Sequence, residues 1–517
     1  ALVAADFLAP RDAAGMLRFK HKLTRDAVYA TVTLSQRRRL HQMVAQALQG
    51  AAGDRAAYES LEALSYHYDA AGDHAKAAHY AEAAGDKALG AMALDRAREQ
   101  YTAALRAMRD GVAGMLSSLD DEAKRRWCLV AQKLGQACVF DPLGVAEGLR
   151  LFEDAKAVAG ELARTHGELN VLARAEYWLA YIQYGRGRAR ESVQHAELAL
   201  RHANDSADLK LVAQVEATLG QALASAGRYE RALPLLDDAV ARKRQHSRVG
   251  SGTAIGSAYS LARKAYTLGD LGRFQEAHAA FDEALILLGD KVHSVRGSVL
   301  ELVCAVHLWQ GRWEEAEAAG LAGADVAWRC RSRYLLLMGR GLAACGAWMR
   351  KRDEASLQML RKSSQWIEER GGAVSASLTY GWLVEASASR GEAAAARQHA
   401  VGLFQRARAQ DRHGLAMGCR ALAKVAAAAG DSAAARHYLG LADAAAQARR
   451  SPREAAENEF ARAQLAAASG RLGEAAERAQ AAAHAFEQMH MDWHAAGARK
   501  LSGGNGHEHA ERRLLRA

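Results

Sequence analysis

The sequence predicts an all-α protein, a right-handed α-solenoid built from stacked helical hairpins, and three observations carry that expectation. A pattern of glycine and small residues returns along the chain. It is clearest over residues 219–240, LGQALASAGRYERALPLLDDAV, where Gly220 lies seven residues before Gly227, Ala232 five after it and Ala239 twelve after it. The interval is nearly fixed: glycines with the same company stand at 187, 227, 272 and 311, then at 391, 430 and 470, at spacings of 39 to 45 residues. Composition agrees, because the 517 residues hold only 4 prolines and 6% aromatics amid alanine-rich runs, and alanine is the best helix former whereas strands lean on β-branched and aromatic residues.

A glycine just past a helix takes the left-handed conformation that closes the helix without a side-chain clash. Small residues on either side of the turn then let two antiparallel helices approach closely. Besides Gly227 the qualifying glycines are Gly72, Gly187, Gly272, Gly311, Gly391, Gly430 and Gly470. Five residues after them come Ala77, Ser192, Ala277, Ala316, Ala396, Ala435 and Ala475, so serine at 192 is the one departure from alanine. The gap between 311 and 391 predicts one more hairpin, with a degenerate turn near Lys351 to Asp353. One hairpin cannot bury its own apolar face, so hairpins must stack, each touching its neighbours. Unfolding less cooperative than that of a compact domain is the corresponding expectation.

The pattern in 219–236, and in AYTLGDLGRFQEAHAAFDEAL at 265–285, resembles the tetratricopeptide repeat. The usual repeat is about 34 residues, and the longer interval here is similar to the variety at the C-terminal end of large bacterial signalling ATPases. The resemblance covers roughly residues 60 to 490.

In chain order, residues 17–48 read as a short extended piece followed by two helices. Thr24 is placed to cap the first, with Ala27, Val28 and Val32 on its apolar side. Ser35 is placed to cap the second, with Leu40, Met43, Val44 and Leu48 at helical spacing. Phe19, His21, Arg25, Asp26, Ala27, Tyr29, Arg38, Leu40 and His41 resemble the end of the winged-helix region that joins a STAND-type AAA+ ATPase core to its repeats in bacterial regulators, some of which begin with a class III adenylate or guanylate cyclase. The resemblance implies that this chain is the C-terminal part of a longer protein, with an upstream ATPase domain as partner. The expected divisions are 1–50 for this linking region, 51–160 for divergent first repeats, 161–500 for regular repeats and 501–517 for a disordered tail. A linker is read at 111–121 and a helix break at Asp141-Pro142. Ser451-Pro452-Arg453-Glu454 reads as a helix start with a capping box and proline in the first turn.

Chemistry is sparse. No Gly-Lys pair occurs, so the phosphate-cradling GxxxxGK[ST] loop is missing, and no enzyme activity and no cofactor are expected of these residues. His21 and His41 have no nucleophile or orienting third group beside them, and His507 and His509 in the tail make a poor metal site. The six cysteines form no CxxC pair, which points to small buried thiols in a reducing cytosol. No apolar run is long enough to span a bilayer, and a cytoplasmic location without membrane contact is expected. Net charge of +10 permits nucleic-acid binding, but the arginines are dispersed. Many, including Arg188, Arg228, Arg273, Arg312 and Arg471, follow hairpin glycines on solvated turns, so nucleic acid is not the expected partner.

Two features stand out against the alanine background. Tyr177, Tyr181 and Tyr184 fall on one face of a first helix, and Tyr259, Tyr266 and Trp309 take inward positions in later repeats. They read either as a concave groove for a peptide, a protein segment or a small effector, or as inter-repeat core. Lys264 occupies the place of Leu219 in the preceding repeat, and either snorkels to solvent or meets an acidic ligand. The functional readings are a sensor and regulatory superhelix of a signal-transduction ATPase, a free-standing repeat scaffold, or a fragment of a multidomain enzyme.

Overall fold

The computed structural model describes residues 7–9, 18–50, 59–91, 93–139, 148–244, 252–290 and 292–503. They fall into two compact units, Ala1–Ala137 and Cys138–Ala517. The described residues form 24 α-helices, and their strands, Leu8–Ala9 and Arg18–Phe19, make one short antiparallel ribbon with Leu8 opposite Phe19. Among them no helix is long and apolar enough to cross a membrane. Asp141-Pro142 and the tail histidines lie outside the described residues.

In the first unit the ribbon leads to α1 (Lys22–Thr31) and α2 (Leu34–Gly50). Both expected caps are corrected. Thr24 lies inside α1. Ahead of α2 it is Thr33 that acts, its Oγ1 accepting from Gln36 N while Gln36 Oε1 accepts from Thr33 N; this reciprocal pair satisfies two backbone donors where Ser35 would satisfy one. The apolar side is also shifted. Leu40, Met43 and Val44 are exposed and α1 buries no residue, whereas His41 and Ala45 are the buried positions of α2, which packs on α3 (Leu61–Ala71). His41 pairs with Tyr29 and His67, both at 2.8 Å, and not with His21. Helices α4 (His74–Gly90), α5 (Leu94–Asp110) and α6 (Asp121–Ala137) complete the unit.

The second unit opens with α7 (Gly148–His166). Eight hairpins follow: α8 (Leu169–Gly185) with α9 (Ala189–Asp205), α10 (Leu209–Ser225) with α11 (Tyr229–Arg244), α12 (Gly252–Asp270) with α13 (Phe274–Leu288), α14 (Ser294–Gln310) with α15 (Trp313–Arg329), α16 (Arg333–Lys351) with α17 (Glu354–Glu369), α18 (Ala376–Ser389) with α19 (Ala393–Arg408), α20 (Leu415–Ala428) with α21 (Ser432–Arg449), and α22 (Pro452–Ala468) with α23 (Leu472–Gln488). A last helix, α24, spans Asp492–Ser502.

Each glycine turn is built the same way. Gly227, at φ +71°, donates to Ala224 O, and Arg228 N reaches back to Leu223 O; these bonds satisfy carbonyls that the helix end leaves over. The expected degenerate turn is at Arg352, which itself takes φ +53°. The five-after alanines are buried, and Ser192 is accommodated because its hydroxyl donates to Ala180 O at 2.8 Å. The turn arginines are exposed as expected, and Arg273, Arg312 and Arg471 each pair with a glutamate three residues on.

Coupling in the second unit is not limited to neighbours. The turns of early hairpins rest on elements about five hairpins later: Val374 N donates to Gly185 O at 3.1 Å, Arg190 N to Ala409 O at 3.2 Å, Ser451 Oγ to Asp270 O at 2.6 Å, and Gln310 Nε2 to His490 O at 3.1 Å. The superhelix therefore closes coil on coil, and the expectation of purely nearest-neighbour coupling gives way to a more cooperative unit.

Two glycines isolate this closure. A Cβ on Gly430 would meet nothing within 4 Å, whereas on Gly227 it would stand 2.6 Å from Cγ of Arg449 in the next coil. Gly430→Ala is expected to cost about 1 kcal/mol from backbone strain alone. Gly227→Ala should cost roughly 3 kcal/mol or more, because Arg449 must leave its buried partners; urea denaturation of both variants measures the difference.

Candidate functional site: an inner slot and a buried ionic junction

Five first helices of the second unit's hairpins, α8, α12, α14, α16 and α18, converge on one slot. Its empty volume, open mouth included, is about 680 Å³, but the part that the centre of a water molecule can reach is only about 50 Å³. Tyr181, Tyr184, Tyr259 and Tyr266 line one side, and Leu302, Ala305, Leu335, Met338 and Leu342 supply apolar wall. The hydroxyls of Tyr184 and Tyr259 share a hydrogen bond of 2.7 Å. Tyr334 donates to Gly185 O at 3.1 Å, which ties α16 to the turn after α8.

The stripe of aromatic residues divides on folding. Tyr181 is half-buried, and Tyr184 and Tyr259 are buried with their rings in the slot wall. Tyr266 is only 1% exposed; it also lines the slot, and packs on Trp309 with ring centroids 4.6 Å apart and the planes inclined by 49°. Trp309 lies behind it, under the guanidinium of Arg453 at 4.7 Å. Tyr177 is buried against α10 beside Gln214 and Thr218, outside the slot lining. Lys264 is turned away from the slot lining and pairs with Asp237 of α11 at 2.5 Å, a partly exposed contact of small energetic value.

Two slot residues escaped the sequence reading. Arg263 is fully buried. Its Nη2 donates to Ser225 Oγ at 2.6 Å, while among the described residues Nε and Nη1 have no acceptor and no carboxylate pairs with the guanidinium. The guanidinium lies against the faces of Tyr266 at 4.8 Å and Tyr184 at 5.7 Å. Glu301 is buried too, its Oε1 unpartnered, and burial pushes its carboxyl well above the usual carboxylate range, towards the protonated form. The signal was present but not used. Nine residues before the turn glycine, where Arg263 stands, other repeats carry Trp178, Thr218, Leu302, Trp382 or Ala421.

Behind Trp309 the coils meet at an ionic junction. Asp270, at the end of α12, accepts from Arg453 at 2.5 Å and from Tyr229 at 2.5 Å, and pairs with Arg449 at 3.1 Å. Glu454 pairs with Arg420 at 2.5 Å, Arg453 at 2.8 Å and Arg449 at 3.1 Å, and Glu457 joins Arg453 and Arg420. Burial alone would raise Asp270 and Glu454, but the surrounding arginines outweigh it and hold both carboxyls below their ordinary values. Ser451 Oγ accepts from Glu454 N as the expected cap. The same motif thus supplies the cap and, through Arg453 and Glu454, the centre of the junction.

No group of three or more metal-ligating side chains occurs among the described residues. Four of the six free cysteines are buried and Cys128 and Cys330 are half-buried. The structure defines a tetratricopeptide-like α-solenoid with an inner slot. No family model matches the sequence, and no curated protein matches it. Among solved structures the chain is similar to a Rap protein complexed with competence and sporulation factor, at 14% identity over 68% of this chain and 98% of that one, with a TM-score of 0.47. It is also similar to yeast Tom70, at 13% identity over 91% and 99%, with a TM-score of 0.31. The assignment of the fold rests on the hairpins themselves.

Two half-buried histidines contribute to the response to acid. Burial, with Arg453 and Arg420 nearby, lowers His494 to about 3, and burial beside His278 and Arg312 lowers His307 to about 4. Below the ordinary 6.5 the unfolded chain takes up protons that the native chain refuses, so stability is expected to fall as pH drops from 6.5 towards 4. Asp270 and Glu454 add a second decline below the ordinary carboxylate values, where stability present at higher pH is lost as they protonate. Urea midpoints from pH 7.5 down to 4 measure the first decline. At neutral pH, Asp270→Asn should cost about 3 to 5 kcal/mol by stranding buried arginines.

Proposed function

We propose that the second unit is a non-catalytic binding module, and that a ligand in the inner slot, either a small effector or part of a peptide or protein, biases how the hairpins pack. The observation that carries this reading is the convergence of five first helices on one slot. A ligand there touches repeats that are far apart in sequence, so its binding energy acts on their relative packing and not on one hairpin. The slot also adjoins the coil closure, because Tyr266 rests on Trp309 and on His413, with centroids 4.6 and 5.2 Å away.

The wider reading is a sensor for a bacterial signal-transduction ATPase of the STAND type. Its support is the resemblance of residues 17–48 to the segment that follows such ATPase cores. In that stretch Leu23, Val28, Leu34, Leu40 and Met43 are exposed on α1 and α2, an apolar surface suited to contact with an adjoining domain. Under this proposal the chain by itself hydrolyses no ATP, and steady turnover by the purified protein above a mock preparation would overturn it.

The slot is tested by ligand-observed NMR with a library of small organic fragments, comparing the native protein with Tyr181→Ala. Tyr181 is half-buried, so the variant should fold with a loss of about 1 to 2 kcal/mol, whereas Tyr266→Ala should lose about 3 to 5 kcal/mol. Fragments whose signals vanish in folded Tyr181→Ala support the slot. Fragments that bind both proteins equally, or no binding at all, overturn it.

A further inference from the structure

We infer that the slot is an acceptor for a small organic monoanion, a carboxylate with an apolar body, anchored on Arg263. This rests on the reading of the slot as a binding site and names the chemistry of its ligand.

The argument begins with the cost of Arg263. A buried guanidinium is ordinarily paired with a carboxylate, as Arg420, Arg449 and Arg453 are in the same unit. Arg263 is 0% exposed and has only Ser225 Oγ as acceptor, with Nε and Nη1 left over. Arginine does not escape by losing its proton. The tyrosine faces at 4.8 and 5.7 Å attract the cation, yet π faces leave N–H donors without an in-plane acceptor. The charge is thus held at a cost to folding stability, a pattern expected of binding sites.

The rest of the slot selects the anion. One cation balances one negative charge, and a planar carboxylate matches guanidinium geometry. Glu301 is the acidic residue of the slot lining, and burial favours its protonated form, which weakens its repulsion of an anion. The hydroxyls of Tyr266 and Ser375, both in the slot lining, have no hydrogen-bond partner among the described residues, so both can donate to a bound oxygen. Opposite them, Leu302, Leu335, Met338 and Leu342 offer apolar contact. The water-accessible core of about 50 Å³ holds a few heavy atoms, which fits a carboxylate head and leaves a larger body to extend towards the mouth.

The test uses propionate and 3-phenylpropionate, each beside its neutral amide, with inorganic phosphate as a dianionic control, read by saturation-transfer NMR and thermal shift at pH 7.5. The acids are expected to bind at least roughly tenfold more tightly than the amides, because a charge-assisted hydrogen bond is lost in the amide. Arg263→Met, close in volume, should abolish that preference while the melting temperature stays the same or rises, since an unpaired buried charge has been removed. A structural role for Arg263 predicts the reverse, a lower melting temperature with the acid preference intact. Glu301→Gln should keep the preference. If Arg263→Met does not fold, Arg263→Lys serves: a weakened but persistent preference for acids supports the site, and an unchanged affinity overturns it. N-acetyl-alanyl-leucine, as free acid and as amide, separates sources, since binding of its acid but not of 3-phenylpropionate places the carboxylate at a peptide terminus. Equal binding of acids and amides that is lost in Tyr181→Ala overturns the carboxylate while the slot stands. Absence of binding by every probe overturns both, and tighter binding of phosphate than of the acids overturns the monoanion.

Discussion

The structure depends on the close approach of two helices across a turn that only a residue at positive φ can make. Gly187, Gly227, Gly272, Gly311, Gly391, Gly430 and Gly470 all lie between +71° and +83°, and the small residues before and after them carry the contact. Where the glycine is missing, Arg352 still adopts the left-handed conformation, so the surrounding packing imposes a geometry that the residue disfavours. With that spacing fixed, long side chains such as Leu223, Leu236 and Phe281 fill the space between neighbouring helices and the stack grows.

Stacking alone would give a chain of weakly coupled repeats. The second unit departs from that limit because its coils touch, and the contact between them is polar. Asp270 and the arginines from the end of α21 and the start of α22 are more than 170 residues apart in sequence, so their pairing closes a large loop whose entropy cost must be met by the junction. Buried ion pairs contribute modest net stability but penalise every arrangement that leaves a charge unmatched. The junction therefore specifies which coil meets which, while alanine packing supplies cohesion.

The two populations of buried arginine differ in this respect. Those of the junction are matched by Asp270, Glu454 and Glu457; Arg263, in the slot beyond Trp309, is matched by no carboxylate among the described residues. A single rule, that buried charge is compensated, accounts for the first as architecture and marks the second as a place where an outside group completes the protein.

The sequence by itself determined the repeat: its period, the position of each turn, the hidden hairpin at 352, the small contact residues and the helix start at Ser451. These follow from local conformational preference, and a residue such as Gly227 has the same need wherever its hairpin lies. It also pointed to the tyrosines of α8 and α12, but could not separate Tyr181, half-buried in the slot, from Tyr177, packed against α10. On α2 helical spacing selected Leu40, Met43 and Val44, and the actual contact with α3 turned His41 and Ala45 inward instead. Only the tertiary structure decided what lies across the coil. The partners of Asp270, the burial of Arg453 and the unpaired state of Arg263 depend on how the small rotation from each hairpin to the next accumulates over about five of them. That sum is set by packing at every interface together, and no local stretch of sequence carries it.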